Sequence, residues 1–263
     1  MPYEMIPKLV EFCKEENILF MSSPFSVEDA KAIDPFTEIH KVASFEINHI
    51  KLLEFLASTK KPILISTGSS NYDEIDFCVN FLKEHNSGQI ILLQCTSKYP
   101  CSMDSLNLSV IPKMKSKYNL PVGFSDHSGD PIIAPLTSIG LGATVIEKHF
   151  TLDKNLPGPD HFFALTPNEL KQMIDSIRNT ELAYGTGKKE VLEEEMKTRK
   201  FAKRSLQAIS DISKGDILEL GINFDILRPG DRLRGLEARF VTDIIGKKSK
   251  LDVEKGDGIN EYE

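Results

Sequence analysis

The sequence predicts an α/β fold built on a parallel sheet. Three observations predict it: short apolar runs alternate with longer helical patterns, polar residues collect at the C-terminal ends of those runs, and the pattern changes character near residue 185. Six runs set the beat: "ILFMSS" (18–23), "EIHKVAS" (38–44), "PILIST" (62–67), "QIILLQCT" (89–96), "PVGFSDH" (121–127) and "TVIEKHF" (144–150).

Each connecting segment carries its own helical signal. In "NYDEIDFCVNFLKEH", Ile75, Val79 and Leu82 keep a helical period. The last helix of the series opens with Thr166 as N-cap, Pro167 at N1 and Glu169 at N3, followed by an apolar stripe of Leu170, Met173, Ile174 and Ile177. The strand ends carry Ser22 and Ser23, Ser44, Ser66 and Thr67, Thr96 and Ser97, Ser125 to His127, and Glu147 and His149. A ring of polar groups at one mouth is what a (β/α)₈ barrel provides. A doubly wound sheet would concentrate them at one switch point, and the sequence has neither GxGxxG nor GxxxxGK[ST].

The chain thus divides into a partial barrel of six βα units (1–184), a heavily charged linker (185–203) and a small, mostly β module (204–263). The module has short alternating strands broken at Gly215, Gly221, Gly230 and Gly256, with at most one helical turn. At about 60 residues it is near the lower limit for independent folding.

Composition excludes several classes. The 263 residues are 40% hydrophobic and 27% charged, with a formal net charge of -7, which argues against a general nucleic-acid binder. No stretch approaches the roughly 20 apolar residues of a membrane span, and the N-terminus lacks a secretory pattern, so a cytoplasmic location is expected. Cys13, Cys78, Cys95 and Cys101 have no CxxC spacing and are expected to be reduced thiols.

The chemistry begins with "TVIEKHF". Alternation along a strand puts Val145, Glu147 and His149 on one side and Ile146, Lys148 and Phe150 on the other. Buried charge needs a partner or a metal, although an ordinary ion pair at an exposed strand end also fits these residues. In "GFSDH", the same rule groups Gly123, Ser125 and His127. If the two strands are neighbours, His127 and His149 converge with Ser125 and Glu147 beside them. Two imidazoles with open positions suit Mn²⁺, Zn²⁺ or Fe²⁺. The hydroxyls and glycine-adjacent amides of "STGSS" (66–70) and "CTS" (95–97) suit an anion, with Lys41 as cation.

Together, "KVASFEI", "KPILISTG", "LLQCTSKYP", "VGFSDHS", "VIEKHFTLDKNLPGPDH" and "ILRPG" resemble the nonulosonic (sialic) acid synthase family over nearly the whole chain and in the right order. "KVASFE" resembles the pseudaminic acid branch, whereas "PGPDH" resembles the N-acetylneuraminate and legionaminate branches. The resemblance implies a TIM barrel followed by an antifreeze-protein-like (SAF, β-clip) domain. The implied reaction condenses phosphoenolpyruvate with an N-acetylated mannose-type aldose and releases phosphate.

The resemblance also implies residue roles. His127 and His149 hold a divalent metal, Mn²⁺ or Mg²⁺. Lys41, Ser44, Ser66, Ser97 and Ser125 contact phosphoenolpyruvate, with Ser97 standing where some members have asparagine. Tyr99 and Asp160 face the sugar, and Glu147 orients groups on the metal side or relays a proton. Arg228 reaches the sugar's acyl-amino group in a partner subunit, within a domain-exchanged homodimer. Family members begin with two further βα units that carry a glutamate and a phosphate-binding lysine, and an N-terminally truncated chain of reduced activity is therefore expected. The competing expectations are a non-catalytic sugar-binding or assembly protein and another aldolase-like sugar-phosphate enzyme.

Overall fold

The computed structural model describes residues 2–263, which fall into two compact units divided between Thr186 and Gly187. The first is built on a five-stranded parallel sheet whose spatial order follows the chain: β1 (His40–Val42), β2 (Ile63–Ser66), β3 (Ile90–Cys95), β4 (Val122–Asp126) and β5 (Ile146–Lys148). Strands in sequential order with a crossover between each pair give the curled, half-barrel arrangement expected of consecutive βα units.

The crossovers are α3 (Ile50–Ser58), α4 (Tyr72–Glu84), α5 (Val110–Tyr118) and α6 (Ile133–Gly140), preceded by α1 (Ile6–Glu15) and α2 (Val27–Ile33). The unit closes with α7 (Pro167–Tyr184). Between strands and helices lies one main core that includes Leu52, Leu56, Ile63, Ile65, Ile75, Val79, Leu82, Leu92, Val122 and Phe124. The stripe expected on α4 is therefore the buried one. On α7 the Glu169 half of the expected capping box is made: Glu169 Oε2 accepts from the Thr166 amide at 2.8 Å and from the Thr166 hydroxyl at 2.9 Å. Met173 and Ile177 are buried there, but Ile174 is exposed.

The count of six strands is corrected to five. Residues 18–23 form no ladder, and Ile18 and Leu19 are 59% and 69% exposed. The Thr37 hydroxyl, ahead of β1, donates to the Phe20 carbonyl at 3.3 Å. An apolar run becomes a strand only when a neighbouring backbone accepts and donates along it, and here none does.

Glycine permits the close packing beneath the site. A Cβ at Gly123 on β4 would lie 2.6 Å from Leu93 Cδ2 and 2.8 Å from Val145 Cβ, so only a bare backbone fits there. Above Gly123 on the same face stands Ser125, where the sheet interior gives way to polar groups.

In the second unit, β6 (Ser205–Ala208) and β7 (Phe224–Leu227) pair antiparallel, and further single bridges such as Ile212 to Val253 extend the pairing. The charged stretch expected as a linker contains α8 (Met196–Ala202), and the module's helix is a 3-10 turn (Ala238–Phe240) that runs into α9 (Val241–Ile244), more than the one turn expected. Leu206, Leu218, Phe224, Ile244 and Ile259 form a separate small core. Gly215, Gly221, Gly230 and Gly256, the expected breaks, all have positive φ, between 62° and 95°. Among the described residues no helix is long and apolar enough to cross a membrane. All four cysteines are free thiols, with Cys78, Cys95 and Cys101 buried.

Candidate active site

Register decides which side chains meet. Along β4 and β5, Ser125 pairs with Glu147 and Asp126 with Lys148. His127 and His149 follow as the next residues on the two chains. Their ring centroids are 5.3 Å apart with the planes at 70°. The alternation read from the sequence is realised, because the parallel register keeps both inward sets level.

These residues border a cleft of about 350 Å³ at the C-terminal ends of the strands, together with Lys41, Ser44, Ser66, Tyr99, Ser23 and Phe25. Lys41 rises from the middle of β1 with its side chain buried. It donates to Ser66 Oγ at 2.9 Å and to the Val42 carbonyl at 3.1 Å, and lies 3.5 Å from Glu147 Oε1. Glu147 Oε2 accepts from Ser125 Oγ at 2.5 Å and from Ser66 Oγ at 3.4 Å. Three donors from three different strands thus converge on one carboxylate. Such a cluster can hold an anion or pass a proton.

Neighbouring contacts set the tautomer of His127. Its Nδ1 lies 2.8 Å from the Thr96 carbonyl, which can only accept, so Nδ1 carries the proton and the lone pair of the neutral ring is on Nε2. Burial disfavours the His127 imidazolium, but the Cys95 thiol at 3.8 Å, the Thr96 carbonyl and the Glu147 charge outweigh it and hold its pKa above the usual value. His149 moves the other way. Burial and the neighbouring His127 lower its pKa, against the opposing charges of Asp160 and Glu147. Its Nδ1 lies 3.7 Å from Asp160 Oδ2. The Tyr99 ring lies over His127, with centroids 4.1 Å apart, and Phe163 packs against His149 at 5.0 Å.

The donor set suits a divalent ion. Two imidazoles at one rim, one with its tautomer fixed by a backbone carbonyl, match the way histidine ligands are ordinarily supported. Among the described residues no group of three or more His, Cys, Asp or Glu is arranged to hold a metal, so the protein would furnish two ligands and leave the remaining positions to oxygen ligands.

Not every expected residue lies in this cleft. Ser97 borders an adjacent hollow beside Thr67, Ser69 and Ser70, because it lies two residues past the end of β3 and strand alternation no longer governs it. Its hydroxyl is buried without a hydrogen-bond partner. Gly68 joins the two spaces: its amide donates to Ser44 Oγ at 3.0 Å, and a Cβ there would press on the side chains of Ser97, Cys95 and Ser44. Asp160 comes to the rim through His149. Arg228 is an exposed residue of the second unit, directly after β7.

Two residues in the site were missed in the sequence. Cys95 pairs in register with Ser125 and touches both Ser44 Oγ, at 3.5 Å, and His127. Burial alone would raise its thiol pKa, yet His127 and the Ser44 and Ser125 hydroxyls lower it. The period-two rule applied to "LLQCT" would have placed Cys95 inward. Lys148 was assigned to the opposite face but not given a partner, and it forms a buried ion pair with Asp126 at 2.6 Å.

A polar cleft at the C-terminal ends of a curled parallel sheet, with paired histidines and a buried lysine, is placed where βα-barrel enzymes carry their active sites. Residues 1–189 match the NeuB family, to which the chain belongs. It is 40% identical over 261 residues to the pseudaminic acid synthase of Campylobacter jejuni, covering 99% of this chain and 74% of that protein. It is 36% identical over 257 residues to an N,N'-diacetyllegionaminic acid synthase of the same species, covering 97% and 75%. Among solved structures, the spore coat polysaccharide biosynthesis protein SpsE of Bacillus subtilis superposes with a TM-score of 0.68 at 35% identity, covering 98% of this chain and 76% of that one.

Proposed function

We propose that the chain is a nonulosonic acid synthase that joins phosphoenolpyruvate to an N-acetylated mannose-type aldose. The observation that carries this reading is the convergence of Lys41, Ser66 and Ser125 on Glu147, two residues along the strands from His127 and His149 and on the same face. In the reaction, C3 of the enol phosphate bonds to the aldehyde carbon. Water adds at C2, and the C–O bond to phosphate breaks.

The Lys41 ammonium and the Ser44, Ser66 and Ser125 hydroxyls offset the negative charge of the enol phosphate, with the buried Ser97 hydroxyl and the Gly68 backbone beside them. Glu147, hydrogen-bonded to Ser125, would relay a proton at the reacting oxygens, lost from the water that adds at C2 and gained by the aldehyde oxygen. Tyr99 and Asp160 face the sugar. A divalent ion held by His127 and His149, Mn²⁺ or Mg²⁺, would supply Lewis-acid polarisation of the aldehyde. The second unit is assigned as the antifreeze-protein-like domain of a domain-exchanged dimer, with Arg228 directed at the acyl-amino group of the sugar in the partner's site.

The test is phosphate release from phosphoenolpyruvate in the presence of Mn²⁺ and a panel of N-acetylated hexoses. Release that requires both the sugar and the paired histidines supports the reading. Release without sugar, or turnover unaffected by replacing both histidines with alanine, would contradict it. Saturable binding of a sugar with no turnover would favour a non-catalytic role.

A further inference from the structure

Between the Ser125–Glu147 pair and the two histidines lies one intervening register pair, Asp126 and Lys148. Strand alternation turns it to the other side, and the two side chains are 0% and 3% exposed. The Lys148 ammonium has four partners: Asp126 Oδ2 at 2.6 Å, the Ser128 carbonyl at 2.6 Å, Ser128 Oγ at 3.2 Å and the Asp130 carbonyl at 3.1 Å. Asp126 Oδ1 in turn accepts from the Ser128 amide at 2.7 Å. Asp130 Oδ1 accepts from the Ile132 amide at 2.9 Å at the start of α6. One cation thereby ties Asp126 at the end of β4 to Ser128 and Asp130 in the loop that follows, and His127 is the residue at the head of that loop.

The geometry points to Asp126 and Lys148 as positioning residues that fix the height and facing of His127 opposite His149. A slip of β5 by one residue would place Lys148 against a different face and leave a buried carboxylate unpaired, so the ion pair selects the register that sets the imidazoles level. The loop carbonyls held by the same ammonium then keep His127 from swinging out. This inference rests on the two-histidine metal reading, since the function of the alignment is to let both rings hold one cation. Outer residues that orient a ligand ordinarily matter to metal affinity almost as much as the ligands do.

The full chain tests it, with Mn²⁺ alone as the probe. Free Mn²⁺ is titrated by electron paramagnetic resonance, and thermal melting is followed in parallel. The double variant D126N/K148M removes both charges at similar volume and keeps the Oδ1 acceptor for Ser128. It is expected to melt below the parent, because the Ser128 and Asp130 carbonyls lose their donor, yet to stay folded at the titration temperature of about 25 °C because no buried charge is left unpaired. Its Mn²⁺ affinity is expected to fall about 10- to 100-fold, because nothing then holds the Ser128 and Asp130 carbonyls. Should the double variant fail to fold, Asp126→Asn alone preserves shape and is expected to weaken binding about 3- to 10-fold. Folded variants that bind Mn²⁺ within twofold of the parent would overturn the positioning role alone. A parent that binds no Mn²⁺ would overturn the metal reading and this role with it.

Discussion

The Ser125 hydroxyl donates to the Glu147 carboxylate at 2.5 Å across a β4–β5 register pair, and the same carboxylate lies 3.5 Å from the buried Lys41 ammonium. One acidic group therefore links the lysine side of the cleft to the histidine side. Replacing it with an isosteric amide separates the two roles. Glu147→Gln is expected to lower kcat about 10²- to 10⁴-fold, the range of a lost acid-base group. Its melting temperature should stay close to that of the parent, because Lys41 keeps Ser66 and the Val42 carbonyl as partners. An unchanged kcat would remove Glu147 from the chemistry.

Ser97 gives an opposite kind of test. Its buried hydroxyl bonds to nothing within the protein, so deleting it sacrifices no internal hydrogen bond and relieves a desolvated polar group. Ser97→Ala is expected to melt at or slightly above the parent temperature while KM for the enol phosphate rises about tenfold, the scale of one lost hydrogen bond to a charged group. A KM that does not move would separate Ser97 from the anion.

Gly68 is where the backbone must come close. An added Cβ would stand 2.9 Å from both Cys95 Sγ and Ser44 Oγ and would press on Ser97. Gly68→Ala is therefore expected to cost about 1–3 kcal/mol of stability through overpacking. It should also raise KM for the enol phosphate more than it lowers kcat, in steady-state assays that vary phosphoenolpyruvate. A variant as stable and as tightly binding as the parent would show that Ser44 and Ser97 can move apart freely.

The loop that carries Asp160 is tied to α7 through Glu169. The carboxylate accepts from Lys154 Nζ at 2.7 Å and from the Thr166 amide at 2.8 Å, which together pull its pKa from 4.5 to about 2. A depressed carboxylate pKa stabilises the fold fully above the unfolded value and ceases to do so as pH falls through the folded value. The gap in melting temperature between the parent and Glu169→Gln should be full at pH 6, shrink below pH about 4.5 and close near pH about 2. A gap independent of pH would contradict this.

Much of this site was legible because a strand has a period of two. That rule put Glu147 with His149 and Ser125 with His127, and the β4–β5 register brought the pairs level. The rule failed where the strand had ended: Ser97 follows Cys95 by two residues but faces a separate hollow. It was underused at Cys95, which alternation also sends inward to meet His127. The run at 18–23 misled because apolar composition reports burial tendency and not hydrogen-bonding partners. The Asp126–Lys148 pair was hidden for a related reason. Two charges on adjacent apolar strands show as a pair only when the register between strands is known, and that is a tertiary fact.

The most direct test of the whole account is a crystal of the chain grown with Mn²⁺ and phosphoenolpyruvate, with anomalous scattering used to find the metal. The expected result is one strong peak within about 2.3 Å of a nitrogen of both His127 and His149, with the enol phosphate between it and Lys41. A metal bound elsewhere, or an enol phosphate seated away from Lys41 and Ser66, would contradict it.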